Sequence, residues 1–176
     1  MNIWLRIIAT FIKSFFQSRI EPTDVLKTNM IVGPTEADLM YVSNARYLLF
    51  MEVARLEMML RTGIFRIARK KHWLPLVASQ MVHYERPLKR FQKFTLKSHL
   101  AAWDDKWFFI DHKIERNGKL MAFALAKCCF RGPEGVVSPA DAFAELNAAT
   151  KSIALPGYAT QWTVSEELLR DEIIKI

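Results

Sequence analysis

The stretch Ser43–Gly63, SNARYLLFMEVARLEMMLRTG, constrains what this chain can fold into more than any other. It is apolar on almost every side. A helix of that kind belongs in a core or a membrane, not on a surface. Ser43 offers a hydroxyl that can accept an orphan N–H at the helix start. Gly63 follows Arg61 and Thr62, where a left-handed cap ends a helix. Four β-like segments come after it, so the pattern predicts one sheet wrapped around one buried helix.

The segments are Leu76–Arg86, Phe91–Trp103, Lys106–Arg116 and Lys119–Arg131, with an earlier strand over Lys27–Val32. Pro87 after the first of the four argues against a central position in the sheet. Asn117-Gly118 is a strong hairpin signal, and Asp104-Asp105 marks the turn before it, so the last three segments predict an antiparallel meander. In Lys119–Arg131 one face is Leu120, Ala122, Ala124, Ala126 and Cys128. Such small residues let a helix approach closely, and this face is expected against Ser43–Thr62. The opposite face, Met121, Phe123 and Leu125, needs a cover from the N-terminal helix, the C-terminal segment or another subunit. Ser138 and Pro139 open a short helix, and Thr163 or Ser165 can begin a last one running to Ile176.

Residues 2–18 carry apolar side chains at 3, 4, 7, 8, 11, 12, 15 and 16, a helical stripe. Arg6, Thr10, Lys13, Ser14 and Gln17 occupy the other side. The charges disfavour a membrane span. A helix lying in a membrane interface and a stripe packed on the domain or a partner both fit. No small-residue cleavage site of a secretory signal follows. The adjacent Cys128 and Cys129 point to opposite faces of a strand, where a disulfide would be strained. A reducing compartment, the cytoplasm, is expected. The net charge of +7 calls for an anionic partner, but no nucleic-acid-binding motif is present. His83, His99 and His112 fall on three strands and the register gives no reason for one shared face, so no metal site is expected; without a phosphate-cradling Gly loop or a dinucleotide fingerprint, no resident cofactor is expected either.

Asn44-Ala45-Arg46-Tyr47, followed by Phe50, Glu52, Ala54 and Arg55, carries a resemblance. So do Tyr84-Glu85-Arg86-Pro87-Leu88, Trp103–Phe108 and Asn117–Leu120. Their order over Lys27–Leu146 resembles the hotdog-fold acyl-CoA thioesterases of the 4-hydroxybenzoyl-CoA thioesterase-like superfamily, in a branch with an N-terminal amphipathic helix. The chain departs from the family's pattern at Tyr41, where a His is common, and at Ser43, and its loop is one residue short. The resemblance implies an α+β hotdog fold, an antiparallel sheet around a long central helix, with residues 1–20 as the amphipathic helix, 21–150 as the hotdog domain and 151–176 as an extension.

It also implies hydrolysis of fatty acyl-CoA. Asp38 is the candidate base or nucleophile, with Tyr41, Asn44 and Glu52 beside it. The backbone of Ser43, Asn44, Ala45 and Arg46 at the helix N-terminus would polarise the thioester carbonyl. Leu48, Met51, Met58 and Met59 are candidate acyl contacts, although core packing alone explains them. Lys89, Arg90, Lys93, Arg116 and Lys119 are candidates for the coenzyme A phosphates. Glu52 and Arg55, three apart on a helix, also suit a structural ion pair. A homodimer or dimer of dimers is expected, peripheral on a membrane through residues 2–18. The alternative is a non-catalytic hotdog protein that binds acyl-CoA or lipid.

Overall fold

The computed structural model describes residues 3–38, 40–148 and 153–174. The predicted core helix is α2, Asn44–Thr62, and Gly63 ends it at φ +84°, its N–H bonded to Leu60 O. Five long strands, β1 (Leu26–Ile31), β4 (Leu74–Tyr84), β5 (Lys93–Trp103), β6 (Phe108–Arg116) and β7 (Lys119–Gly132), form an antiparallel sheet in the order β1-β5-β6-β7-β4. A short β8, Gly135–Val137, extends β7's far end. The hairpin at Asn117 and Gly118 has positive φ at both residues, 51° and 73°, as a tight two-residue connection requires. β4, ahead of Pro87, takes the sheet edge.

The sheet curls over α2. Phe50, Met51, Val53 and Ala54 pack with Met30 of β1, Phe94 and Leu96 of β5, Ile114 of β6, and Ala122 and Ala124 of β7. The alanine face therefore meets the helix, as its side-chain size implied. Phe123 and Leu125 on the other face pack with Ala159 and Trp162 of the last helix, α5, Gly157–Ile174. That helix begins before Thr163 and Ser165, contrary to expectation. The Pro156 carbonyl accepts the N–H groups of Ala159 and Thr160 at 2.9 and 3.0 Å, and the added turn seats Tyr158 edge-on against Phe123. Its expected end at Ile176, and the boundary at 150–151, lie outside the described residues. Two short helices complete the chain: α3, Ile64–Lys70, and α4, Pro139–Glu145, where Ser138 caps as expected by accepting Asp141 N–H.

The first helix, α1, Ile3–Phe15, splits its apolar stripe: Ile3, Ile7 and Phe11 turn toward the domain and the others away from it; Asn2 lies outside the described residues. Its polar side faces inward: Arg6 and Thr10 are buried, while Trp4, Leu5, Ile8 and Ile12 stay exposed, with Phe15 and Phe16 86% and 88% exposed. Two buried carboxylates hold the polar side in place. Glu36 takes the Arg6 guanidinium. Glu57 of α2 accepts from Thr28 Oγ1 at 2.8 Å and stands 3.5 Å from Lys13 Nζ.

Candidate active site

The loop before α2 folds into a small hairpin, β2 (Ala37–Asp38) with β3 (Tyr41–Val42), in which Asp38 stands opposite Tyr41. It is pinned from both sides. Glu36 is 2% exposed. It accepts both Arg6 bonds and, at 2.6 Å, the N–H of Gly33. Burial pushes the Glu36 pKa up, but the Arg6 and Gly33 hydrogen bonds and the Arg6 charge outweigh it, so the net direction is downward. On the other side Val42 N–H donates to Leu88 O at 2.9 Å, and Arg90 Nη2 to Ala37 O at 3.2 Å. Asp38 and Tyr41 themselves face solvent, and Lys89 Nζ lies 5.6 Å from the Tyr41 ring centre.

Ser43 has the extended backbone of an N-cap, yet its side chain caps nothing, contrary to expectation. Arg46 N–H turns back to Ser43 O at 2.9 Å. Among the described residues no acceptor stands opposite the N–H groups of Asn44 and Ala45. A helix start left open in this way keeps its partial positive charge available to a ligand oxygen. Tyr84, at the end of β4, opens the Tyr84–Leu88 motif, the one sequence signal that points to it. Its hydroxyl donates to Asn44 O at 3.4 Å, and its ring meets Tyr47 edge-on at 5.3 Å. Burial raises the pKa of both phenols.

The register puts the five candidate cations at this same end of the sheet. Lys89 and Arg90 flank the hairpin, Lys93 starts β5, and Arg116 and Lys119 face each other across the β6–β7 turn. The apolar candidates divide. Met51 is fully buried in the core and Leu48 packs against it. Met58 and Met59 instead line a cleft of about 530 Å³ between the second half of α2 and the sheet, with Glu52 also on its wall. The expected Glu52–Arg55 pair is replaced: Arg55 Nη1 lies 3.2 Å from His112 Nε2, because β6 brings an imidazole within reach while Glu52 turns to solvent. At ~1.5 Å rise per residue, Arg55 lies about 16 Å along α2 from Asn44. The hairpin and the cleft thus occupy opposite halves of one helix.

A family model described as the thioesterase-like superfamily matches residues 32–142. Protein THEM6 of Xenopus laevis is 28% identical over 119 residues, 64% of this chain and 56% of that protein. The chain therefore spans little more than half of that relative. Among solved structures, the YbaW probable thioesterase from Escherichia coli superposes with a TM-score of 0.63 at 23% identity, covering 69% of this chain and 96% of that one. The protein SAV2348 from Staphylococcus aureus, solved in complex with CoA, gives 0.62 at 13% identity, over 80% and 94%. These two likenesses confirm the fold, an α+β hotdog with its sheet curled around α2. The family model spans more than half of the chain, from just after β1 into α4, and by that match the chain belongs to the thioesterase-like superfamily.

Proposed function

We propose that this chain hydrolyses fatty acyl-CoA thioesters as a homodimer held against a membrane surface. The carrying observation is the uncapped start of α2 beside a hairpin that presents Asp38. The thioester oxygen takes the N–H groups of Asn44 and Ala45, which stabilise the charge that grows on it. The Asp38 carboxylate removes a proton from an attacking water. Tyr41, opposite Asp38, orients that water. The tetrahedral intermediate collapses with cleavage of the C–S bond, giving the free acid and the CoA thiolate, which takes up a proton. Lys89, Arg90, Lys93, Arg116 and Lys119 suit the phosphates of CoA, and the CoA complex of SAV2348 supports that ligand class. The test is release of free thiol from acyl-CoAs of short, medium and long chain. Turnover is expected; saturable binding without turnover would instead support the non-catalytic reading that Tyr41 motivates.

β4 supports the dimer. It is an eleven-residue edge strand, LPLVASQMVHY, with no Lys, Arg, Asp or Glu and with Leu74, Leu76 and Val77 exposed. Pro75 and the register shift between Val77 and Ser79 interrupt its first half, so the stretch Ser79–Tyr84 is the part free to pair with another edge. Two copies of β4 side by side would join two sheets and close the cleft mouth, which Leu76 and Val77 also line.

α1 supports membrane contact. Its outward apolar face has the shape of an interfacial helix. Phe11 packs edge-on against Phe65 at 5.4 Å, which sets α3 with exposed Arg66, Arg69 and Lys70 beside it, cations suited to anionic headgroups. No helix among the described residues is long and apolar enough to cross a membrane. Wild-type protein should sediment with anionic lipid vesicles. The double change Phe15→Asp and Phe16→Asp should cut that partition at least about tenfold, since burying each ring stabilises the bound state by ~1.5–3 kcal/mol. Equal sedimentation of the two proteins rules out this contact.

A further inference from the structure

We propose that the cleft under the second half of α2 receives the carboxylate of an apolar chain, with Arg55 and Gln80 as its polar contacts. Arg55 is a half-buried cation whose hydrogen bond goes to a neutral group, Nε2 of the fully buried His112. A guanidinium carries five donors and no acceptor. The imidazole therefore accepts through Nε2, and its Nδ1–H faces Ser98 Oγ at 2.7 Å. Burial, then the charge of Arg55, holds the His112 pKa well below its usual value, so it offers no counter-charge. Cys128, on the same wall, offers none either, because burial pushes its thiol up to about 11. The charge of Glu52 reaches Arg55, but among the described residues no carboxylate lies within ion-pair distance of it.

Gln80 is the second, independent feature. It lines the same cleft, and its Nε2 is buried with no hydrogen-bond partner. The register puts Gln80 beside Ala126 and His112 beside Ala124. Only alanine methyls stand on β7 between the two polar groups, so the floor between them is low. Most of the remaining wall is apolar, including Met58, Met59, Leu100, Ile110 and Phe143, with Glu52 at an exposed position on it. An unpaired cation and an unmet amide N–H in apolar surroundings both cost stability. A carboxylate answers both: its two oxygens fit the planar fork of an arginine, and its lone pairs can also accept from the amide. A phosphate dianion would need more positive charge than this wall supplies. The chain behind the carboxylate fills the methionine-lined part of the cleft.

Two sources share this chemistry: the far carboxyl of a dicarboxylic acyl thioester, and the free fatty acid left after hydrolysis. As a substrate assignment the proposal rests on the thioesterase reading; as a binding site it is tested without turnover. Calorimetric titration with dodecanoate and with its methyl ester isolates the carboxylate. Wild type should prefer the acid by about tenfold or more, the worth of one charge-assisted hydrogen bond. Arg55→Met and Gln80→Leu should each reduce that preference. Gln80→Leu removes a donor that bonds nothing, so this variant should fold at least as stably as wild type. Equal affinity for acid and ester, or an unchanged preference in both variants, overturns the proposal. Thiol release from dodecanoyl-CoA and from its ω-carboxy analogue then separates the sources. A preference for the ω-carboxy thioester that Arg55→Met abolishes supports the dicarboxylic substrate. No such preference, with acid binding intact, supports the retained free acid. Acid binding with no hydrolysis of either thioester supports the site and removes the thioesterase reading instead.

Discussion

Replacing Arg6 with alanine should destabilise the fold by ~3–5 kcal/mol, the usual result of removing one partner from a buried ion pair. The guanidinium meets both Glu36 oxygens at 2.6 Å. It also donates to Ile31 O at 2.7 Å and lies 5.0 Å from the centre of the Phe50 ring. One side chain therefore ties α1 to β1, to the loop that leads into the β2–β3 hairpin and to the core of α2. Without it Glu36 loses both guanidinium bonds while its charge stays where the core cannot hydrate it. Urea unfolding should show a lower midpoint at nearly constant slope; a loss under about 1 kcal/mol would contradict the buried pair. Adding Glu36→Gln to the alanine variant should recover part of the loss, because it removes the stranded charge. The pH dependence has a definite sign. The folded pKa of Glu36 lies below its ordinary 4.5. Its contribution is therefore complete above that value and lost as pH falls through the lower folded one. The stability gap between wild type and Glu36→Gln should narrow in that acidic window.

This pair also marks where reading the sequence stopped. The central helix, its Gly63 stop, the Asn117-Gly118 hairpin, the meander and the Ser138 cap were all legible, because each depends on residues close in the chain. The orientation of α1 was not. Arg6 on a polar stripe reads as a water-facing charge until Glu36, thirty residues away, is known to wait inside. Ser43 was read as a cap from its type, but a serine at a helix start need not bond it. Arg55 was paired by helical spacing with Glu52, whereas its partner comes from β6 by sheet register. The early start of α5 likewise depends on Tyr158 finding Phe123 across the fold. Local signals carried the architecture; long-range pairing of polar groups decided the details around the site.

Asp38→Asn should lower kcat/KM for acyl-CoA hydrolysis by ~10²–10⁴, the range of a positioned general base, while CoA still binds. The side chain is exposed and bonds no described neighbour, so the near-isosteric change should move stability by no more than about 0.5 kcal/mol. A loss of activity without a loss of stability separates a chemical role from a structural one. An effect below about tenfold would remove Asp38 as the base. The other half of the mechanism, the open N–H groups of α2, has no side chain to delete, but it can be blocked. Ser43 already holds the backbone of an N-cap, φ −72° and ψ 157°. Ser43→Asp would set a carboxylate on the first-turn amides and supply the missing cap. The variant should gain about 1 kcal/mol of stability and lose most of its activity, since the added anion occupies the place reserved for the thioester oxygen. Stability and activity moving in opposite directions is the signature expected of an oxyanion site; an active, stabilised Ser43→Asp protein would mean that the thioester is polarised elsewhere.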